Sequence, residues 1–221
     1  MAARAHPLFE PAFEAPAAPV HTLAKFARLH AEAVETARLA NLLGRSLYAI
    51  AAFAALAALT LALAGSIAAP TVAWAILTGA GAIAMARAWR YAIAQPFERA
   101  TLHAFAQDLH ACLLYAGFAW GAGAFLALPA AATGVEALLF VAAPTAAFAL
   151  LLRERQVALL FVAPAAGLTS LACATRSFVD GARGAAIVLV ASAIAAWAIN
   201  AMARSHTKDE AAALHSAATA S

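Results

Sequence analysis

Apolar residues run almost unbroken over six stretches of the chain, at about 47–67, 71–87, 109–128, 135–152, 157–174 and 184–203, with polar and charged residues collected between them. A helix needs about 20 mostly apolar residues to cross a ~30 Å hydrocarbon core. The pattern therefore predicts an all-α, polytopic membrane protein with six transmembrane helices. The connections "GSIAAPT" and "LPAAATG" are short and nearly uncharged, so the helices pair as three hairpins.

Two amphipathic segments lie outside these stretches. Residues 22–46 place Leu23, Phe26, His30, Ala33, Val34 and Ala37 on one stripe at helical spacing, with Lys25, Arg28, Glu32, Glu35 and Arg38 on the remaining face. This segment reads as a cytoplasmic or interfacial helix, lying on the membrane, packing under the bundle or contacting a partner protein. The second begins at "QPFERATLHAFAQDLH". Pro96 suits a first helical turn, and Leu102, Phe105 and Leu109 share a face that runs into the third stretch. One long helix from about Pro96 to Leu128 is expected.

Composition sharpens the class. Of 221 residues, 65% are hydrophobic and 11% charged, against roughly 25% charged in a soluble domain. Residues 1–21 hold several prolines and no apolar core of the signal-peptide kind, so a polar, disordered tail is expected there, and a second at 204–221. The charges also orient the helices. Of the 14 lysines and arginines, only Arg176 and Arg183 fall in connections opposite the N-terminus. By the positive-inside rule both termini are expected in the cytoplasm, and the alanine-rich chain in a bacterial inner membrane.

No Asp, Glu, Lys, Arg or His lies deep in any of the six stretches, and Glu136 is at the mouth of the fourth. Intramembrane ionisable groups mark proton relays and ion-coupled transport, so those functions have no residues to carry them. All seven histidines fall on the cytoplasmic side, which removes haem ligation within the membrane. His103 and His110 are seven residues apart, about 10 Å along a helix and too far for one shared ion. Cys112 and Cys173 fall near opposite membrane faces and are expected to stay thiols. Phosphate-binding, zinc-binding and nucleophile motifs are missing, and no basic patch interleaved with aromatics suggests nucleic acid. Neither an enzyme nor a cofactor is expected.

What stands out is a repetition. "LLFVAAP" ends at Pro144 and "LLFVAP" at Pro164, on either side of the charged "RERQ". In antiparallel helices joined by that turn, the two prolines fall at similar depth. Each removes a backbone donor and clashes with the carbonyl four residues earlier, so kinks are expected, with freed carbonyls at Phe140 and Leu160. Thr145, Thr169 and Ser170 hydroxyls are candidate partners for those carbonyls. The pair either forms a hinge or small ligand cavity, or only shapes the bundle. Trp120, deep in the third stretch, either donates its indole N–H to a freed carbonyl or faces lipid. Gly117 and Gly121 form a GxxxG pattern, and Gly79 and Gly81 are further candidates for close helix packing, within the bundle or across a dimer. Trp74 and Trp89 read as interfacial anchors.

The region 43–203 resembles the six-helix membrane input regions of bacterial sensor histidine kinases and diguanylate cyclases. The likeness rests on "LLGRS" opening the first stretch, "ARAWR" closing the second, "LLYAGFAWGAGAFLALP" as the third, and "RERQVALLFVAPAAGL" entering the fifth. It departs in that only "RSHTKDEAAALHSAATAS" follows the sixth. The resemblance implies a sensory or regulatory module embedded in the lipid bilayer that signals through a separate partner protein or a homodimer. A small uncoupled transporter or channel, or a structural subunit of a membrane complex, is the alternative.

Overall fold

The computed structural model describes residues 20–64, 68–129, 132–175 and 181–198. Among these there are six helices and no strand: α1 (Val20–Leu63), α2 (Ala69–Ala94), α3 (Arg99–Leu126), α4 (Gly134–Leu152), α5 (Arg155–Thr175) and α6 (Gly181–Ala198). Five helices, α1 to α4 and α6, are long and apolar enough to cross a membrane, while α5 contributes a shorter apolar stretch, Leu159–Thr175. This is an all-helical membrane protein. Of the tail expected at 1–21, residues 20 and 21 open α1, and the rest, the tail expected at 204–221 and the connection holding Arg176 lie outside the described residues.

Helix boundaries differ from expectation in three places. The amphipathic segment and the first apolar stretch are not separate elements, because α1 runs unbroken for 44 residues and starts at Val20. No breaker divides them. Gly44 faces open space, and the fully buried Ser46 hydroxyl bonds back to the Leu42 carbonyl at 2.6 Å, which leaves no polar atom to interrupt the helix. The second helix is longer than its apolar stretch, with residues 88–94 continuing past its end at Arg87. Pro96 lies in the connection and not in a first turn: Gln95 ends α2, the Glu98 N–H donates to the Pro96 carbonyl at 2.8 Å, and Glu98 caps α3.

The chain forms two units that meet within α1. In the first, Met1–Ala37, the described residues are helical. Arg28 pairs with Glu32 at 3.3 Å, one turn on, and the Thr36 hydroxyl bonds to the Glu32 carbonyl at 2.8 Å.

In the second unit, Arg38–Ser221, α3 is the central helix, packed on α5, α2 and α4, with α4 also packed on α5. Leu102, Phe105, Leu109 and Leu113 form one buried stripe along its first half. Trp89 donates to the Leu43 carbonyl at 3.2 Å, joining α2 to α1. Helix α4 opens with a capping box: the Thr133 hydroxyl accepts from the Glu136 N–H at 3.2 Å, and the Glu136 carboxylate accepts from the Thr133 N–H at 2.7 Å. Glu136, the one acid within the fourth stretch, therefore closes a helix end. The opposite end of α4 stops at Arg153, whose φ of 53° is left-handed and reverses the chain into α5.

Candidate functional site: an aromatic core around two proline-bearing helices

Helices α4 and α5 both continue through their prolines, and Pro144 is buried while Pro164 is half-buried. The rings of Phe148 and Phe161 meet at 4.9 Å between them. Phe148 lies one turn after Pro144 and Phe161 about one turn before Pro164, so this antiparallel contact sets the prolines at matching level.

The donor missing at Pro144 is replaced from another helix. Trp120 on α3 is 1% exposed, and its indole N–H donates to the Phe140 carbonyl at 2.7 Å. That carbonyl is the one four residues before Pro144, which an uninterrupted helix would bond internally. The Thr145 hydroxyl does not serve it. It turns back to the Val141 carbonyl at 2.7 Å instead. A threonine reaches the carbonyl four residues earlier on its own helix, and for Thr145 that is Val141.

At Pro164 the contact with α3 is one of close packing. A side-chain carbon on Gly117 would lie 2.5 Å from the Phe161 carbonyl and 2.7 Å from the Pro164 ring. One on Gly121 would lie 3.0 Å from the Ala165 backbone. The GxxxG pair thus admits α5 against α3 within this chain, with Pro164 seated on glycine. Thr169 and Ser170 are buried, and their hydroxyls have no hydrogen-bond partner, so they do not serve the Leu160 carbonyl.

Around these contacts six rings from five helices form one cluster. Phe53 of α1 touches Trp120, Phe148 and Phe161 at centroid distances of 5.2, 5.6 and 6.1 Å. Trp74 of α2 meets Trp120 edge-on at 5.5 Å, and Trp120 stacks on Phe140 at 5.2 Å. Offset and edge-to-face pairs at these distances contribute roughly 0.5–1.5 kcal/mol each beyond their area. All six rings are buried.

Trp74 corrects the interfacial-anchor expectation. It is fully buried, and its indole nitrogen, which has no hydrogen-bond partner, occupies the room that Gly123 leaves open: a side-chain carbon there would fall 2.5 Å from it. Trp89 is half-buried and bonded to the Leu43 carbonyl. The two other glycines divide. Gly81 packs on the Tyr115 ring, with 3.3 Å to an added carbon, whereas Gly79 faces open space and packs nothing.

A polar contact joins the proline-bearing pair to α1. The Arg38 guanidinium bonds with two nitrogens to both carboxylate oxygens of Glu154, in the turn between α4 and α5. Glu154 is largely covered, its side chain 12% exposed, while Arg38 is 59% exposed. His110 of α3 is half-buried close to both charges. Sequence spacing showed Arg38 only beside Glu35 on its own helix; 116 positions separate it from Glu154. Cys112 and Cys173 are both thiols. Among the described residues no three His, Cys, Asp or Glu side chains converge as a metal site.

Comparison with protein-family models, with curated proteins and with solved structures finds no match for this chain.

Proposed function

We propose that this chain is a non-enzymatic sensory or regulatory module of a bacterial inner membrane. In this reading six helices cross the bilayer, with both termini in the cytoplasm. The module receives a membrane or lipophilic signal at the proline-bearing pair α4–α5 and passes it to a separate signalling protein. The observation that carries the reading is the bond from Trp120 to the Phe140 carbonyl inside a ring cluster shared by five helices. A helix with one internal hydrogen bond missing is softer there than elsewhere. Here its compensating donor belongs to the central helix, so a change in α4 is felt directly by α3. The Arg38–Glu154 contact gives the turn of the same hairpin a grip on α1. Sensing requires such an element, able to rest in two arrangements and joined to the surface that reports.

An uncoupled transporter or channel would run through the same place. The rings of Phe53, Phe148 and Phe161 pack against one another there, which supports the relay. The test is purification of tagged full-length protein from its native membranes in mild detergent, with mass spectrometry of what accompanies it. A kinase, cyclase or other signalling protein in roughly equal amount supports the relay. Transport subunits, or no stoichiometric companion, contradict it.

A further inference from the structure

The first unit carries a repeat that the membrane core does not account for. Counting heptads from Leu23 as the first position, every charged residue of 25–38, namely Lys25, Arg28, Glu32, Glu35 and Arg38, falls on the three outer positions. None falls on the other four. The described side chains on that uncharged face are open to the outside: Leu29 is 52% and Val34 45% exposed, and His30, Ala33 and Ala37 are exposed as well. Thr36 on the same face has its hydroxyl bonded to the Glu32 carbonyl. A seam of this seven-residue period suits a second helix wound around the first.

We propose that residues 20–37 of two copies of this chain pair as a short, parallel, in-register coiled coil. The second copy is favoured because α1 continues without a break from this segment into the apolar residues before Leu63. Copies that cross one membrane in the same sense present these segments side by side, at one height and in one direction. In that register His30, Ala33 and Ala37 each face their own counterpart. Leu29 of one copy meets Val34 of the other, the five-residue offset by which flanking positions of parallel helices pair. The Arg28–Glu32 ion pair stays on the outside of both helices. Alanines at two seam positions allow close approach but bury little area. The pairing therefore depends on confinement in the membrane, which raises the effective concentration of each segment for the other.

The test is disulfide trapping in membrane vesicles at pH 8. Starting from a full-length chain with Cys112→Ala and Cys173→Ala, single cysteines are placed on the seam (Ala33→Cys, Ala37→Cys) or outside it (Ala31→Cys, Glu35→Cys). Copper-phenanthroline oxidation is expected to give several-fold more covalent homodimer from the seam positions, and Val34→Glu is expected to lower that yield while Arg28→Gln does not. Equal yields at all four sites, dimers favoured outside the seam, or no dimer anywhere would overturn the pairing. So would seam cysteines shielded from a water-soluble maleimide without forming dimers, the pattern of a helix lying in lipid, or seam cysteines joined to a different protein. This outcome is independent of whether a signalling partner copurifies.

Discussion

At the scale of single residues, the clearest contrast is between glycines that look alike in the sequence. Gly117→Ala drives a carbon into the Phe161 carbonyl and the Pro164 ring, so α3 and α5 have to separate. A destabilisation of about 1–3 kcal/mol is expected, as for other overpacked cores. Gly79→Ala meets nothing and gains helix propensity, so its stability should be unchanged or higher by up to about 1 kcal/mol. Chemical or thermal unfolding of the two variants in the same detergent checks the pair, and equal losses would contradict the packing. The Trp120 indole was legible as a donor in need of an acceptor, and the Phe140 carbonyl as an acceptor in need of a donor. Their bond was one of two readings open for Trp120, but the ring cluster around it was not readable: Phe53, Phe148 and Phe161 resemble any other phenylalanine of an apolar stretch. Trp74 was misread for a related reason. Its position near the start of a short apolar run suggests an interface, and only the absent side chain of Gly123 on a neighbouring helix makes room for it inside.

At the scale of helices, the prolines and their substitutes can be tested as couples. Trp120→Phe keeps a ring but leaves the Phe140 carbonyl with no indole donor, a loss of about 1–2 kcal/mol. Pro144→Ala restores a backbone N–H to that carbonyl. The penalty of Trp120→Phe should therefore be smaller when Pro144 is already alanine, and a double-mutant cycle reads the difference. Additive losses would show that the indole does not stand in for the missing helix bond. The ion pair of Arg38 with Glu154 calls for the same logic. Arg38→Glu should lower stability by no more than about 1 kcal/mol, since Arg38 is largely exposed, and Arg38→Glu with Glu154→Arg should recover it. Proline positions and the apolar length of α4 were readable, because they depend on local spacing. The unbroken α1 was not, since its two halves differ in character and only the lack of a breaker unites them. Pairing of Arg38 across the bundle was not readable either, because it requires the fold.

At the scale of the whole molecule, charge asymmetry predicts a single orientation. Cysteines introduced near either terminus of the intact protein should react with an impermeant reagent only from the cytoplasmic face of vesicles. Labelling of the two termini from opposite faces would require an odd number of crossings and remove the three-hairpin topology. Membrane residence itself was plain from the sequence, because five helices are apolar over the required length. The packing of α2, α4 and α5 on α3 was not, since apolar stripes facing lipid and facing protein have the same composition. The relay is tested most directly by its output. In vesicles holding the copurified signalling partner, that partner's activity is measured with the wild-type chain and with Pro144→Ala/Pro164→Ala, each chain present in equal amount. The relay predicts that the double variant holds the partner at one level, either silent or constantly active, across conditions that move it with the wild-type chain. An unchanged response would contradict a signalling role for the proline-bearing pair.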